Sequence, residues 1–282
     1  MSSRPPIETA ALQTVSGPDV ADNLAVAGKL IAEAAGEGAR LLVLPEFFAL
    51  ISKDENAKVR AREQDGEGPI QDFLREAAAR HGVWIVGGTL PLATSVPDKV
   101  RNAALVFDDR GERVARYDKI HLFGFARGDE CYDEARSIEA GSRVVCFDSP
   151  AGRVGLAVCY DLRFPEFFRA MGEVDLIVLP AAFTYTTGQA HWETLLRARA
   201  IENQCYLVAA AQGGRHPHGR HTWGHSMIVD PWGEILACRA EGPGAVKAAL
   251  DPARIAEVRQ NLPALRHRRP EIMTTVSSME IR

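Results

Sequence analysis

Three residues spread through the chain, Glu46, Lys119 and Cys159, are of the types that together could hydrolyse the carbon–nitrogen bond of an amide. A thiolate would attack the carbonyl carbon, and a carboxylate would take the thiol proton and later return it to the departing nitrogen. An ammonium with a backbone N–H would stabilise the tetrahedral oxyanion. Cys159 ends the apolar run Val154-Gly155-Leu156-Ala157-Val158 and opens Tyr160-Asp161-Leu162-Arg163-Phe164-Pro165-Glu166, the pattern of a buried strand that turns at once into a helix start. Orphan helix N–H groups at such a junction favour thiolate and oxyanion alike, and act more strongly in a low dielectric. A free cysteine alone is more often a small core residue, so this reading needs its two companions. Glu46 stands between Leu41 to Leu44 and the run Phe47-Phe48-Ala49-Leu50, where a carboxylate is costly unless paired, hydrogen-bonded or protonated. Lys119 lies in Arg116-Tyr117-Asp118-Lys119-Ile120-His121-Leu122-Phe123; the charged start suits a solvated lysine, whereas the apolar end does not. A histidine beside the thiol, as in many cysteine hydrolases, could come from the cluster His216, His218, His221 and His225, although that segment reads better as a surface loop with one incoming strand.

The elements that must position these residues are short runs rich in Val, Ile, Leu and Ala. They fall at 7–13, 40–44, 83–89, 103–108, 144–147, 154–159, 176–180, 206–211, 226–230 and 245–250, and several lack the alternation of a half-exposed strand. Between them, 20–35, 70–80 and 189–204 carry helical periodicity, which predicts an α/β fold. The chain also repeats itself: Leu42-Val43-Leu44-Pro45 returns as Ile177-Val178-Leu179-Pro180, 83–88 as 205–210, and 104–112 as 226–234. Two β/α halves related by a pseudo-twofold axis follow, their sheets face to face and their helices outside. The repeat is broken where it matters, since Glu46 has Ala181 as its counterpart.

At 282 residues and 46% hydrophobic content, the chain can bury a sizeable core, and no compositional boundary divides it. A net charge of −4 without long like-charge runs argues against nucleic acid or an anionic membrane surface as the main partner, so a small-molecule substrate is expected. Cys131, Cys146, Cys159, Cys205 and Cys238 show neither C-x-x-C nor zinc-type spacing, so no disulfide framework, metal or cofactor is expected. The first residues lack a signal-peptide pattern, and no apolar stretch approaches the ~18 residues of a membrane span, which predicts a cytoplasmic protein.

The segments Leu44-Pro45-Glu46, Tyr117 to Phe123 and Cys159 to Glu166 resemble, in order and spacing, the nitrilase superfamily of carbon–nitrogen hydrolases. The likeness extends to Pro180-Ala181-Ala182-Phe183, His191-Trp192-Glu193, 197–203 and Asp230-Pro231-Trp232-Gly233, and so covers residues 6–270. It implies a four-layer α-β-β-α sandwich with pseudo-twofold halves, one hydrolase domain over 6–270, and a C-terminal extension, 271–282, that could contact a partner copy. It implies homodimers, or larger homo-oligomers, stacked through the helix after the cysteine. By the same resemblance Glu46 is the base, Cys159 the nucleophile, and Lys119 with the Tyr160 N–H the oxyanion donors, while Glu134 holds Lys119 and orients the substrate. The 119–123 wording and Phe183-Thr184-Tyr185-Thr186-Thr187-Gly188 are most similar to the ω-amidase and deaminated-glutathione-amidase group, which implies hydrolysis of a carboxylate-bearing amide through an acyl-cysteine, with release of ammonia. Arg163 and Thr187, beside Phe183, would then bind a distal carboxylate, for which a guanidinium fork is suited; an ion pair of Arg163 with Asp161 or Glu166 is the alternative. One departure stands out: Gly124 replaces the acidic residue that group members carry after Leu-Phe. The loop from Gly124 to Tyr132 should border the pocket, where Phe125, Arg127 and Tyr132 could alter the substrate or simply face water. Nitriles and N-carbamoyl amino acids remain alternative substrates, because both pass through the same thiol adduct. A non-catalytic interaction protein on this fold would have lost one of Glu46, Lys119 and Cys159.

Overall fold

A computed structural model describes residues 4–54, 56–128 and 130–269. The first half contains β1 (Ile7–Gln13), α1 (Val20–Gly36), β2 (Leu41–Val43), α2 (Ala57–Arg60), α3 (Pro69–His81), β3 (Trp84–Val86), β4 (Leu90–Ala93), β5 (Val100–Phe107) and β6 (Arg113–Asp118). A hairpin of β7 (Gly124–Arg127) and β8 (Glu130–Asp133) links it to the second half. There follow β9 (Cys146–Ser149), β10 (Gly152–Leu156), α4 (Pro165–Ala170), β11 (Leu176–Ala181), α5 (Tyr185–Asn203) and β12 (Tyr206–Ala211). The chain then forms β13 (Gly213–Arg215), β14 (His221–Trp223), β15 (Ser226–Val229), β16 (Ile235–Arg239), β17 (Gly244–Leu250) and α6 (Pro252–Asn261).

Two sheets result, one ordered β17-β1-β2-β3-β5-β4 with β6 also on β5, the other β16-β15-β12-β11-β10-β9. In each, three parallel strands are followed by two antiparallel ones: β1, β2, β3 then β5, β6, and β10, β11, β12 then β15, β16. The repeated segments of the sequence occupy matching places, with β2 answering β11, β3 answering β12 and β5 answering β15. The sheets pack face to face, β1 against β12 and β15, and β2 against β11 and β12.

Strand periodicity decides which side chains fill which layer. Leu41, Val43, Ala104 and Val106 point into the core shared with the second sheet, whereas Leu42, Leu44, Ala103 and Leu105 pack under α1 and α3. Those helices return Ala27, Leu30, Ile31 and Ala34 from one and Ile70, Leu74, Ala77 and Ala78 from the other. The runs 41–44 and 103–107 are thus buried on both faces, which explains their unbroken apolar character. Two glutamines join the halves: Gln13 Oε1 accepts from the Ser226 N–H (3.0 Å), and Gln212 Nε2 donates to the Glu46 carbonyl (3.1 Å).

Candidate active site

Glu46 lies on the turn that leaves β2, with Phe47 beyond it at φ 56°. That turn is held by the Phe47 N–H donating to Thr89 Oγ1 (2.9 Å), and it presses so close to Gly88 (φ 56°) that a Cβ there would stand 2.1 Å from the Pro45 carbonyl oxygen. Only glycine fits. The carboxylate is 1% exposed, and its Oε1 accepts from Lys119 Nζ and from Asn102 Nδ2, each at 2.9 Å. Lys119 follows β6 directly; its N–H bonds the Asn102 carbonyl of β5 (3.0 Å), and its own carbonyl accepts from the Gly141 N–H (2.8 Å). A Cβ on Gly141 would meet the Asp118 carbonyl oxygen at 2.0 Å, so a second glycine is fixed by the approach to the lysine. Lys119 Nζ, wholly buried, also donates to Glu134 Oε2 (2.7 Å), and that oxygen accepts the Phe123 N–H (2.8 Å).

The nucleophile candidate arrives differently from the sequence expectation. Strand β10 stops at Leu156 rather than running to Cys159, although the Ala157 N–H still reaches the Val178 carbonyl (3.1 Å). Cys159 has φ 48°, a left-handed conformation that cannot continue a ladder and that a non-glycine residue adopts at a cost met by its surroundings. It opens a 3₁₀ turn, Cys159–Arg163, ahead of α4. Tyr160 is the second residue of that turn, and its N–H precedes the first bond within it, from the Asp161 N–H to the Val158 carbonyl (3.0 Å). Asp161 braces the turn: its Oδ2 accepts from the Val158 N–H (2.8 Å) and the Tyr117 hydroxyl (2.7 Å), while Oδ1 lies 2.7 Å from His121 Nδ1.

Burial alone would strip the charge from Lys119, but Glu134 and Glu46 outweigh it and hold the ammonium well above the ordinary lysine range. The Cys159 thiol goes the other way. Burial first, and then the negative charge of Glu46, raise it well above the usual thiol range, against the pull of Lys119 and the Ala182 N–H. The thiol is therefore protonated at neutral pH and needs a base to become a nucleophile.

A small pocket at Cys159 is lined by Phe123, Tyr160, Arg163, Ala182, Phe183, Thr184 and Thr187. Thr187 is bonded to Thr184 (2.8 Å), the residue that caps α5. Arg163 takes neither alternative partner suggested by the sequence; its Nη1 lies 3.2 Å from His191 Nδ1, and its guanidinium stands over the rings of Phe183 (5.4 Å) and Tyr160 (5.8 Å). Phe123 also lines a larger cavity, of about 230 Å³, with Tyr132, Glu134, His218 and Arg220. The 124–132 segment, expected as a loop, is the β7–β8 hairpin, with Phe125 beside Phe123 (6.2 Å) and Tyr132 in the cavity wall. Arg127 sits at its exposed tip and lines neither space.

The histidine segment is also a hairpin, β13 paired with β14, rather than a loop with one strand. His216 is buried in it with both ring nitrogens engaged, Nδ1 with the Ser16 carbonyl (2.8 Å) and Nε2 with Thr222 Oγ1 (2.9 Å). It serves the fold. Sequence reading missed Asn102, Asp161 and Tyr117, which hold the three reactive side chains; a polar residue at the edge of the apolar run 103–108 was the one available sign of Asn102.

The sequence pattern of the carbon-nitrogen hydrolase family matches residues 8–260. The chain is 43% identical over 265 residues to the deaminated glutathione amidase of Yersinia enterocolitica, covering 92% of each. Its fold superposes on the crystal structure of the Caenorhabditis elegans NitFhit protein with a TM-score of 0.86 at 36% identity, over 96% of this chain and 66% of that one, slightly under two thirds of its length. It also matches an amidase from Nesterenkonia sp. AN1 (TM-score 0.78, 26% identity, 96% of each chain), a glutamate-to-glutamine mutant described as carrying the acetamide moiety of fluoroacetamide on its active site cysteine. The chain belongs to the carbon-nitrogen hydrolase family, on a nitrilase-superfamily α/β sandwich. Hydrolysis of a carbon–nitrogen bond is its class of reaction.

Proposed function

We propose that the protein hydrolyses a small carboxylate-bearing amide of the deaminated-glutathione or ω-amide kind, with Glu46, Lys119, Cys159 and Glu134 as its catalytic set. The observation that carries this reading is the buried chain Asn102–Glu46–Lys119–Glu134 beside the buried Cys159 thiol. Both donors to Glu46 fall on Oε1, so Oε2 is the oxygen left to take a proton. Glu46 removes the Cys159 proton as sulfur attacks the amide carbon, a carbon–sulfur bond forms, and the oxyanion is met by Lys119 and the Tyr160 N–H. The proton passes to the nitrogen as the carbon–nitrogen bond breaks, releasing ammonia or an amine. Water, deprotonated by Glu46, then adds to the acyl-cysteine; a carboxylic acid leaves and the thiol regains its proton. Glu134 keeps Lys119 charged and in place, and Arg163, with Phe183 and Thr187, receives a carboxylate on the acyl side.

The Yersinia relative supports this choice of substrate, as does the guanidinium beside the thiol pocket. Purified protein incubated with deaminated glutathione, α-ketoglutaramate, an N-carbamoyl amino acid and a simple nitrile should release product from the first two with kcat/KM at least about tenfold above the others. Faster turnover of the nitrile or the carbamoyl compound would replace the reading.

The same proposal takes residues 6–270 as one catalytic unit, although Pro270 and the 271–282 extension lie outside the described residues. It takes the working form to be a homodimer stacked through α4, the helix after Cys159, with a further exposed apolar surface at Trp232 and at Ile201, which lies against the adjoining Gly233. Trp232→Lys should then halve the mass measured in solution by light scattering. Five free thiols suit a reducing compartment such as the cytoplasm, and no helix among the described residues is long and apolar enough to cross a membrane.

A further inference from the structure

The scissile nitrogen must face Glu46, the carboxylate that handles its proton, and this orients the substrate. The tight Cys159 pocket, with Arg163 and Thr187, holds the acyl side. Whatever the nitrogen carries extends past Glu46 into the cavity of about 230 Å³ that is lined by the adjoining Phe47 and by Glu134, and that shares Phe123 with the thiol pocket. Resting on the functional reading above, we propose that Arg220, His218 and the neighbouring lysines Lys53 and Lys58 form a subsite in that cavity for a carboxylate carried on the amine side of the substrate.

The charges in the wall support an anion. Its acidic members are already engaged: Asp54 with Arg60 (2.5 Å), Asp133 with the Ala135 N–H (3.1 Å) and Arg136 (3.4 Å), and Glu134 with Lys119. Arg220 is committed only in part. One Nη donates to the Ala182 carbonyl (3.3 Å) and the guanidinium lies over the Tyr132 ring (5.4 Å), but its buried Nε has no hydrogen-bond partner among the described residues. His218 Nδ1 is buried and unpaired in the same way. Both of these atoms are covered, but the two residues line the cavity wall, and the guanidinium brings a fixed positive charge to it. After burial itself, Arg220 and Lys53 hold the His218 ring below its ordinary pKa, the effect of cations crowded on a shared space. Ala182 ties this wall to the chemistry, because its carbonyl holds Arg220 while its N–H faces the Cys159 thiol. A substrate spanning both spaces would thus be gripped by a guanidinium at each end, Arg163 and Arg220.

The test uses two amides with one acyl group, the first on an amine bearing a free carboxylate, the second on the same amine with that carboxylate capped as an amide. The parent should prefer the first by about tenfold or more in kcat/KM, as loss of a charge-assisted bond requires. Arg220→Gln should erase that preference through KM, and Arg220→Lys should restore part of it. Equal use of both amides by the parent, or an undiminished preference in Arg220→Gln, would overturn the subsite while leaving the amidase reading intact. Should Arg220→Gln fail to fold, the parent's preference and its loss at high salt decide the matter alone. If the parent cleaved neither amide yet cleaved a nitrile, the functional reading itself would fall.

Discussion

At the scale of single residues, Lys119 is the clearest departure from what an amino acid normally does. A lysine without exposure is tolerated here because two carboxylates lie at 2.7 and 2.9 Å; either alone still pairs the ammonium, whereas removing the lysine would leave two neighbouring carboxylates with no cation between them. Glu46, Lys119 and Cys159 were legible in the sequence because each is a polar or reactive type set against an apolar run. Asn102 and Asp161 were not, since their partners are 56 residues away in one case and 40 and 44 in the other, and no local spacing announces such bonds. The proposed role of Glu46 makes a definite prediction. Glu46→Gln keeps shape and an acceptor for Asn102 and Lys119 but cannot take a proton, so kcat should fall by about 10²–10⁴ with an unchanged circular dichroism spectrum. Turnover within tenfold of the parent would remove Glu46 as the base.

Secondary-structure elements were read best where both faces are buried. The runs at 7–13 and 206–211 became β1 and β12 with those bounds; every residue of the two strands except Glu8 is buried. Strands β6 and β16, largely exposed or half-exposed, carry little apolar signal and were missed. The β7–β8 and β13–β14 hairpins were taken for loops because glycine, charge and histidine disguise short ladders whose stability comes from what they cover. His216 gives the second hairpin a measurable signature. Burial pushes its pKa down to about 4 from 6.5, so between those values the unfolded chain takes up a proton that the folded chain refuses. The stability it contributes is whole above pH 6.5 and is lost as pH falls toward 4, by at most about 3 kcal/mol. Urea melts at pH 7 and 4.5 should show this loss, and His216→Gln should shrink the difference between the two; an unaltered difference would assign the acid sensitivity elsewhere.

For the whole molecule, the instructive feature is a symmetric scaffold carrying an asymmetric site. Sequence repeats foretold the two sheets, and the same comparison exposed Glu46 opposite Ala181, one half having a carboxylate where the other keeps a methyl group. The first half supplies Glu46, Asn102 and Lys119 and the second supplies Cys159, so the proposed site lies where the two halves meet, and Gln212 of the second half ties down the Glu46 turn. Face-to-face packing was foreseeable from the repeat. The left-handed backbone at Cys159 and the cavity walls were not: the first sits in a turn that Asp161 braces against Tyr117 and His121, and the second is drawn from 47–58, Phe123, 131–137 and 218–220. The account rests on an acyl group passing through one sulfur, and the intact mass of the protein during turnover of a carboxylate-bearing amide reads this directly. The parent should gain the mass of the acyl group, mapped by peptide analysis to Cys159, while Cys159→Ala, folded as before, gains nothing and releases no amine. Continued release by Cys159→Ala, or an adduct mapped to another residue, would contradict it.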